Sequence, residues 1–283
     1  MKGDAADLRS VREYYAKLVT GRYGPSSASV LEAFARVERE CFVGSGPWKI
    51  FTASGYVETP SADFAYLYQD VVVPLAEDRL INNGEPSLHA LCLTSLGARP
   101  GEAAVHIGCG TGYYTAILAD IVGPTGRVDA FEVEGDLASR AQVSLSDRPW
   151  VEVHAKSGAG DAFPACDIIY VNAGASDLPD AWLDALRPGG RLVVPLTPDW
   201  GLGGMFKIEP LGSEYSAAYL CPAAFFPCQG ARDSQTAAAL AAAFQRWEQF
   251  RVRSLRRDGD RDESCWVSGP GWWLSTTPCA APK

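Results

Sequence analysis

Long hydrophobic runs are missing from this chain of 283 residues. No stretch approaches the length a membrane span needs, and Met1 to Ala6 lack the apolar centre of a signal peptide. A soluble, cytoplasmic protein without a membrane partner is expected. Histidine is scarce: His89, His106 and His154 are the only three, and they stand far apart without metal-ligand spacing, so no metal site is expected. The eight cysteines (Cys41, Cys92, Cys109, Cys166, Cys221, Cys228, Cys265 and Cys279) contain no C-x-x-C pair, and buried free thiols are expected rather than a disulfide framework. Basic charge is in deficit, with a formal net charge of -9, which argues against nucleic acid as the main partner. What remains is ordinary globular material, 47% hydrophobic and long enough for one large domain with an extension.

Three regions separate along the chain. Residues 1–55 read as an N-terminal helical segment: Val11, Tyr14, Tyr15 and Leu18 share one helix face, and "SSASVLEAFARVERECFV" gives a second amphipathic helix beginning near Ser29. Residues 56–230 alternate strands and helices. Residues 231–283 form a C-terminal helix and hairpin extension, with Ser234 as the cap of an alanine-rich helix whose Leu240, Phe244 and Trp247 make a core stripe. "RRDGDRDE" then reads as a solvated turn, and "CWVSGPGWWLSTT" as two short strands joined through Gly269-Pro270-Gly271. Its Trp266, Trp272 and Trp273 are expected to cover a sheet edge, with closure over a pocket or pairing with a second subunit as alternatives.

The chemistry is concentrated in "AAVHIGCGTGYYTAILADIVGPTGRVDAFEVE", residues 103–134. A short apolar run is followed by Gly108, Gly110 and Gly112. From Thr111 the spacing becomes helical, with Tyr114, Ile117, Leu118 and Ile121 on one face until Gly123-Pro124 stops it, and Val128 to Val133 form the next strand. This is the first βαβ unit of a doubly wound sheet. The dinucleotide fingerprint wants a third glycine where Tyr113 stands, whereas Glu132 at the end of the second strand suits a ribose diol. The combination fits an adenosine without a pyrophosphate, as in S-adenosylmethionine. Asp161, at the carboxyl end of the strand begun by "WVEVH", falls on the same rim and is the candidate for the adenine amino group. Asp167 and Asp177 are alternatives, with Asp167 leading into a strand and read as structural.

The stretches "VLEAFARVERECFV", "AYLYQDVVVPL", "PSLHA", "HIGCGTGYYTAILA", "DIIYVNAGASDLPDAWLDALRPGGRLVVPL" and "FFPCQG" resemble, in order and over roughly residues 8 to 230, the protein-L-isoaspartate O-methyltransferases. The resemblance implies an α/β, Rossmann-like class I methyltransferase fold with a doubly wound seven-stranded sheet. It also implies S-adenosylmethionine as methyl donor and a peptide carboxylate oxygen as acceptor. By position it assigns Gly108, Gly110 and Gly112 to the methionine end of the cofactor, Glu132 to the ribose and Asp161 to the adenine, with Cys109 and Tyr113 of the same loop also among the cofactor-binding residues.

Two departures stand out. The family usually carries an acidic residue where this chain has His106. Its substrate loop usually carries a serine or threonine hydroxyl where this chain reads "INNGEPSLHA", about two residues longer. Anchoring on Ile81 puts Asn82 at the hydroxyl position, and anchoring on Pro86 puts Gly84 there. A carboxylate acceptor is already ionised and needs only donors to orient it, so Asn82 and Asn83 are the first candidates for that task and His89 the second. Glu85 is repulsive to a carboxylate unless paired, and is a general base toward a hydroxyl or amine. The leading reading is carboxyl methylation of a peptide or protein, as isoaspartate repair or as tailoring of a modified peptide. The alternatives are a methyltransferase for a small-molecule hydroxyl or amine and a cofactor-binding protein without turnover. The oligomeric state is not legible.

Overall fold

The computed structural model describes residues 5–160, 162–212 and 214–279. Ala5–Gly21 forms α1 and Ala28–Arg36 forms α2, the latter capped by Ser27, whose hydroxyl accepts from the Val30 amide. The face expected on α1 is corrected by the structure. Tyr15, Ala16 and Val19 are buried, whereas Tyr14 and Leu18 are 68% and 43% exposed. Both pairs have the four-residue spacing of a helix face, and the apolar pattern alone does not say which of two adjacent stripes meets the core. After α3 (Glu40–Val43) the expected helical segment ends early, because β1 (Lys49–Thr52) and β2 (Gly55–Glu58) make an antiparallel hairpin.

The order continues with α4 (Phe64–Leu67), β3 (Pro74–Ala76), β4 (Ile81–Asn82), α5 (Pro86–Leu96), β5 (Ala103–Ile107), α6 (Tyr113–Val122), β6 (Arg127–Phe131), α7 (Gly135–Ser144) and β7 (Val151–His154). Then come β8 (Cys166–Val171), α8 (Asp180–Ala185), β9 (Leu186–Leu196), β10 (Gly203–Leu211), β11 (Glu214–Ala223), α9 (Ser234–Gln245), β12 (Ser254–Arg256), β13 (Cys265–Gly269) and β14 (Trp272–Ser275). These elements fall into two compact units, one of Met1–Gly101 with Cys109–Ala155 and the other of Glu102–Gly108 with Lys156–Lys283. No helix among the described residues is long and apolar enough to cross a membrane.

In the first unit α1 packs against α2 and α5, α2 against α6, and β6 pairs in parallel with β7. Its centre is aromatic. Tyr15 meets Phe34 and Tyr68, and Tyr113 meets Phe34 and Phe42. Burying each such ring contributes on the order of 2–3 kcal/mol. Inside this cluster lies a fully buried arginine, Arg39, whose guanidinium donates to the carbonyls of Leu67, Gln69 and Val71 and faces the rings of Tyr15 and Tyr113. It thereby fixes the segment that leads to β3.

In the second unit the strand order is β13-β14-β12-β11-β10-β9-β8-β5. β5, β8 and β9 run parallel and the rest are joined by antiparallel pairings. Of these eight strands the tail contributes β12, β13 and β14. The expected glycine stop between α8 and the following strand is corrected: β9 begins directly at Leu186, and Gly189 and Gly190 lie inside it, where the register with β8 jumps from Leu186 to Arg191.

The tail departs from expectation at both ends of its helix. The cap of α9 is Asp233 rather than Ser234, since the Asp233 carboxylate accepts from the Thr236 amide. Leu240 is buried and Phe244 packs on Phe206 and Trp266, but Trp247, just past the helix, is 73% exposed. The hairpin forms as read. Trp266, Trp272 and Trp273 are buried as members of its strands, with the Trp272 indole donating to Asp177 and the Trp273 indole to Asp258. The charge run is tied down as well, Arg257 pairing with Asp180 and Asp184.

Candidate active site

The glycine loop starts where β5 ends. At Gly108 the backbone has φ +75°, and a β-carbon there would lie 3.0 Å from the Asn172 carbonyl oxygen, so only glycine fits. Beside it, still in the second unit, Asn172 meets His106 Nε2 at 2.7 Å through its side-chain nitrogen, and its buried Oδ1 has no hydrogen-bond partner among the described residues. His106 is fully buried and stacked on Tyr170, and burial lowers its pKa to about 3. A neutral histidine therefore stands where the family usually has an acid.

In the first unit the loop continues as Cys109 to Gly112. The Cys109 amide donates to the Phe131 carbonyl at the end of β6, and the Gly112 amide donates back to Cys109. Glu132, the residue after β6, is 7% exposed. One of its carboxylate oxygens accepts from the Gly110 amide at 2.7 Å and the other from the Glu134 amide at 3.0 Å. Burial raises its pKa, and the amide bonds pull the other way. A carboxylate offers about four acceptor positions, and the amides of Glu134, Gly110 and Val133 do not fill them all. Tyr113 is buried, with its hydroxyl 3.3 Å from that of Tyr15. The Cys109 thiol is pushed well above its ordinary pKa by burial and by Glu132, which makes it a packing residue rather than a nucleophile.

The segment from β3 to α5 lies directly over this loop. Leu75 Cδ1 is 3.0 Å from where a side chain at Gly110 would begin, and the Leu75 carbonyl accepts from Arg140. Farther along, Arg79 pairs with Glu134 and with Asp136, next to Glu132. The acceptor loop residues are thus brought together. The Gly84 amide donates to Asn82 Oδ1 at 2.9 Å. Asn83 is 8% exposed, exchanges backbone and side-chain bonds with Val73, and keeps a buried Nδ2 without a partner among the described residues. His89 is 2% exposed and lies flat on Tyr114, with ring centroids 3.6 Å apart.

Glu85 sits at the start of α5 without capping it. That task falls to Asp70, whose Oδ1 accepts from the Ser87 amide at 2.9 Å. Arg22 reaches Asp70 at 3.2 Å and Glu85 at 3.7 Å, so the acid at position 85 is partly neutralised. Burial, followed by the nearby Asp70, raises the Glu85 pKa. Asp161 lies outside the described residues. Asp167 is structural, accepting from the Ala103 amide and from Arg187.

Sequence reasoning missed Asp70, Arg22, Asn172 and Tyr114. Tyr114 was visible only as part of an apolar helix face, yet its buried hydroxyl has no partner among the described residues.

A strand, a glycine loop, a helix and a second strand ending beside a buried glutamate are the pattern of a class I S-adenosylmethionine-dependent methyltransferase. The family model for Protein-L-isoaspartate(D-aspartate) O-methyltransferase matches residues 17–229. A protein-L-isoaspartate O-methyltransferase of Marinobacter nauticus is 31% identical over 238 residues, covering 81% of this chain and 98% of its own. One of Geotalea uraniireducens is 30% identical over 231 residues, covering 80% and 94%. Among solved structures, a protein-L-isoaspartate O-methyltransferase superposes with a TM-score of 0.66 at 23% identity, over 83% of this chain and 69% of its own. A Plasmodium falciparum structure described as a complex with S-adenosyl-L-homocysteine gives 0.62 at 18%, over 79% and 98%. The chain belongs to the protein-L-isoaspartate(D-aspartate) O-methyltransferase family.

Proposed function

We propose that this enzyme methylates a carboxylate of a peptide or protein, with an isoaspartyl residue as the first acceptor to test. The observation that carries the reading is the placement of the β3–α5 segment over the glycine loop, anchored through Leu75 at one end and Arg79 at the other. The names of the relatives support the substrate class. When bound, S-adenosylmethionine would supply a methyl group on a sulfonium, whose carbon a carboxylate oxygen would attack, the O–CH3 bond forming as the S–CH3 bond breaks, to give a methyl ester and a neutral thioether as leaving group.

The fit to that cofactor rests on side chains of this chain. Within the first unit Glu132 keeps acceptor capacity for ribose hydroxyls, and the main chain from Cys109 through Gly110 and Gly112 to Tyr113 is bare enough for close approach. Asp161 is the proposed adenine partner. An acceptor carboxylate, with an ordinary pKa of about 4, is ionised at neutral pH and needs no base. The protein's work is to orient one oxygen and keep water out. Asn82, Asn83 and His89 are the proposed orienting residues, with Glu85 held out of the way by Arg22.

The test is methyl transfer from labelled S-adenosylmethionine to an isoaspartyl peptide beside its aspartyl twin. Base-labile label on the isoaspartyl peptide alone is the expected result. Base-stable label, or none on any carboxylate, overturns the reading.

A further inference from the structure

The acceptor loop lacks the family hydroxyl, and the structure shows why it is not simply displaced. At Gly84, the hydroxyl position when the loop is anchored on Pro86, a β-carbon would stand 2.1 Å from His89 Nε2. The imidazole occupies the room a side chain would need, and the backbone there has φ +72°. On its far side the ring is stacked on Tyr114 at an interplanar angle of 9°. Asn83, Gly84, His89 and Tyr114 are therefore one continuous surface within the first unit.

Two buried donors on that surface have no partner among the described residues, Asn83 Nδ2 and Tyr114 Oη. The amide orientation of Asn83 is fixed by its bond from the Val73 amide to Oδ1, so the free end is the donor. Tyr114 is 4% exposed. Leaving one such donor unmade is costly, and here two lie on residues that border the same imidazole, Asn83 next to Gly84 and Tyr114 under the ring. We propose that Tyr114 Oη and Asn83 Nδ2 are the donor pair that holds the acceptor carboxylate, replacing the loop hydroxyl that this chain lacks.

The chemistry fits an anion with two oxygens. Both donors are neutral, so they orient a carboxylate without neutralising the charge that makes it nucleophilic, as a guanidinium would. Burial pushes the Tyr114 phenol well above its ordinary pKa, which keeps the proton on the donor. The charged groups that act on this hydroxyl are Arg39, Asp70 and Glu85, and Arg22 pairs with both acids. Entry requires the Asn82–Gly84 turn to open, a turn in which Asn82 Oδ1 accepts from the Gly84 amide.

The inference rests on the carboxyl-methylation reading, and the experiment separates the two. Steady-state kinetics with an isoaspartyl peptide, S-adenosylhomocysteine affinity and thermal midpoint are measured for the wild type, Tyr114→Phe and Asn83→Asp. Tyr114→Phe removes only the hydroxyl and keeps the ring on His89. Asn83→Asp keeps the acceptor for Val73 and turns the donor into a second acceptor. Tyr114→Phe is expected to raise the peptide KM by about tenfold or more, Asn83→Asp by more still. S-adenosylhomocysteine affinity should be unchanged, and the Tyr114→Phe midpoint equal to or above that of the wild type. An unchanged KM in Tyr114→Phe, whatever its midpoint, overturns the donor pair while leaving carboxyl methylation standing. A wild-type enzyme that neither binds nor methylates the peptide overturns both.

Discussion

In the proposed role of Glu132 the ionised form would accept from a ribose diol, and burial sets its pKa above that of an ordinary glutamate. Cofactor affinity should therefore be full at neutral pH and fall as the pH drops through that raised value, beginning earlier than the usual carboxylate pKa of about 4.3 implies. Titrating S-adenosylhomocysteine binding from neutral to acidic pH measures this, and Glu132→Gln should flatten the profile. Glu132→Ala should weaken binding by on the order of 2–4 kcal/mol, through loss of two charge-assisted bonds. An unchanged dissociation constant would count against Glu132 as the ribose acceptor. His106 acts on stability, and its effect is likewise lost on acidification. Its pKa is about 3 when folded and 6.5 ordinarily, so between these values only the unfolded chain takes the extra proton. The contribution of His106 is fully present above about 6.5 and is lost as the pH falls toward 3, by on the order of 5 kcal/mol. Urea midpoints across that window should fall less steeply in His106→Gln than in the wild type. Parallel slopes would show that His106 is not the titrating group.

At the scale of elements, the glycine loop and its flanking strand and helix were legible because every signal for them is local: an apolar run, glycines at alternate positions, then three- and four-residue spacing. The acceptor loop was legible only as an anomaly. Its contacts come from far along the chain, Asn83 bonding to Val73 and Asp70 capping the helix at Ser87, and no periodicity encodes them. Tyr114 was hidden because an aromatic at helical spacing reads as core. Arg39 was hidden because charged residues are expected outside. Arg39→Met should cost on the order of 3 kcal/mol, since three carbonyls of residues 67 to 71 lose their donor inside the core. A shift in the urea midpoint measures it. Arg39→Lys should recover only part of the loss, because an ammonium cannot lie flat on two tyrosine rings while reaching three acceptors.

At the scale of the whole molecule, the family-matched region ends at residue 229, and the sheet of the second unit does not. The hairpin and its tryptophans were readable from composition and turn residues. Their attachment to β11 through Tyr215–Leu255 and Ser216–Ser254 was not, since strand pairing is non-local. Truncation after residue 230 should lower the thermal midpoint and promote association, because β11 becomes an open edge and Phe206 loses Phe244 and Trp266. Size-exclusion chromatography of the truncated chain checks this, and a monomer of undiminished stability would show the tail to be dispensable. The same attachment has a consequence for biosynthesis. The strands that extend the sheet beyond β11 are translated after it. At about 5–20 residues per second, β11 waits for its neighbour β12 for about 2–7 s after its own synthesis. During that interval a nascent chain with its methyltransferase core already assembled carries an unpaired sheet edge, the state in which a chaperone has most to offer it.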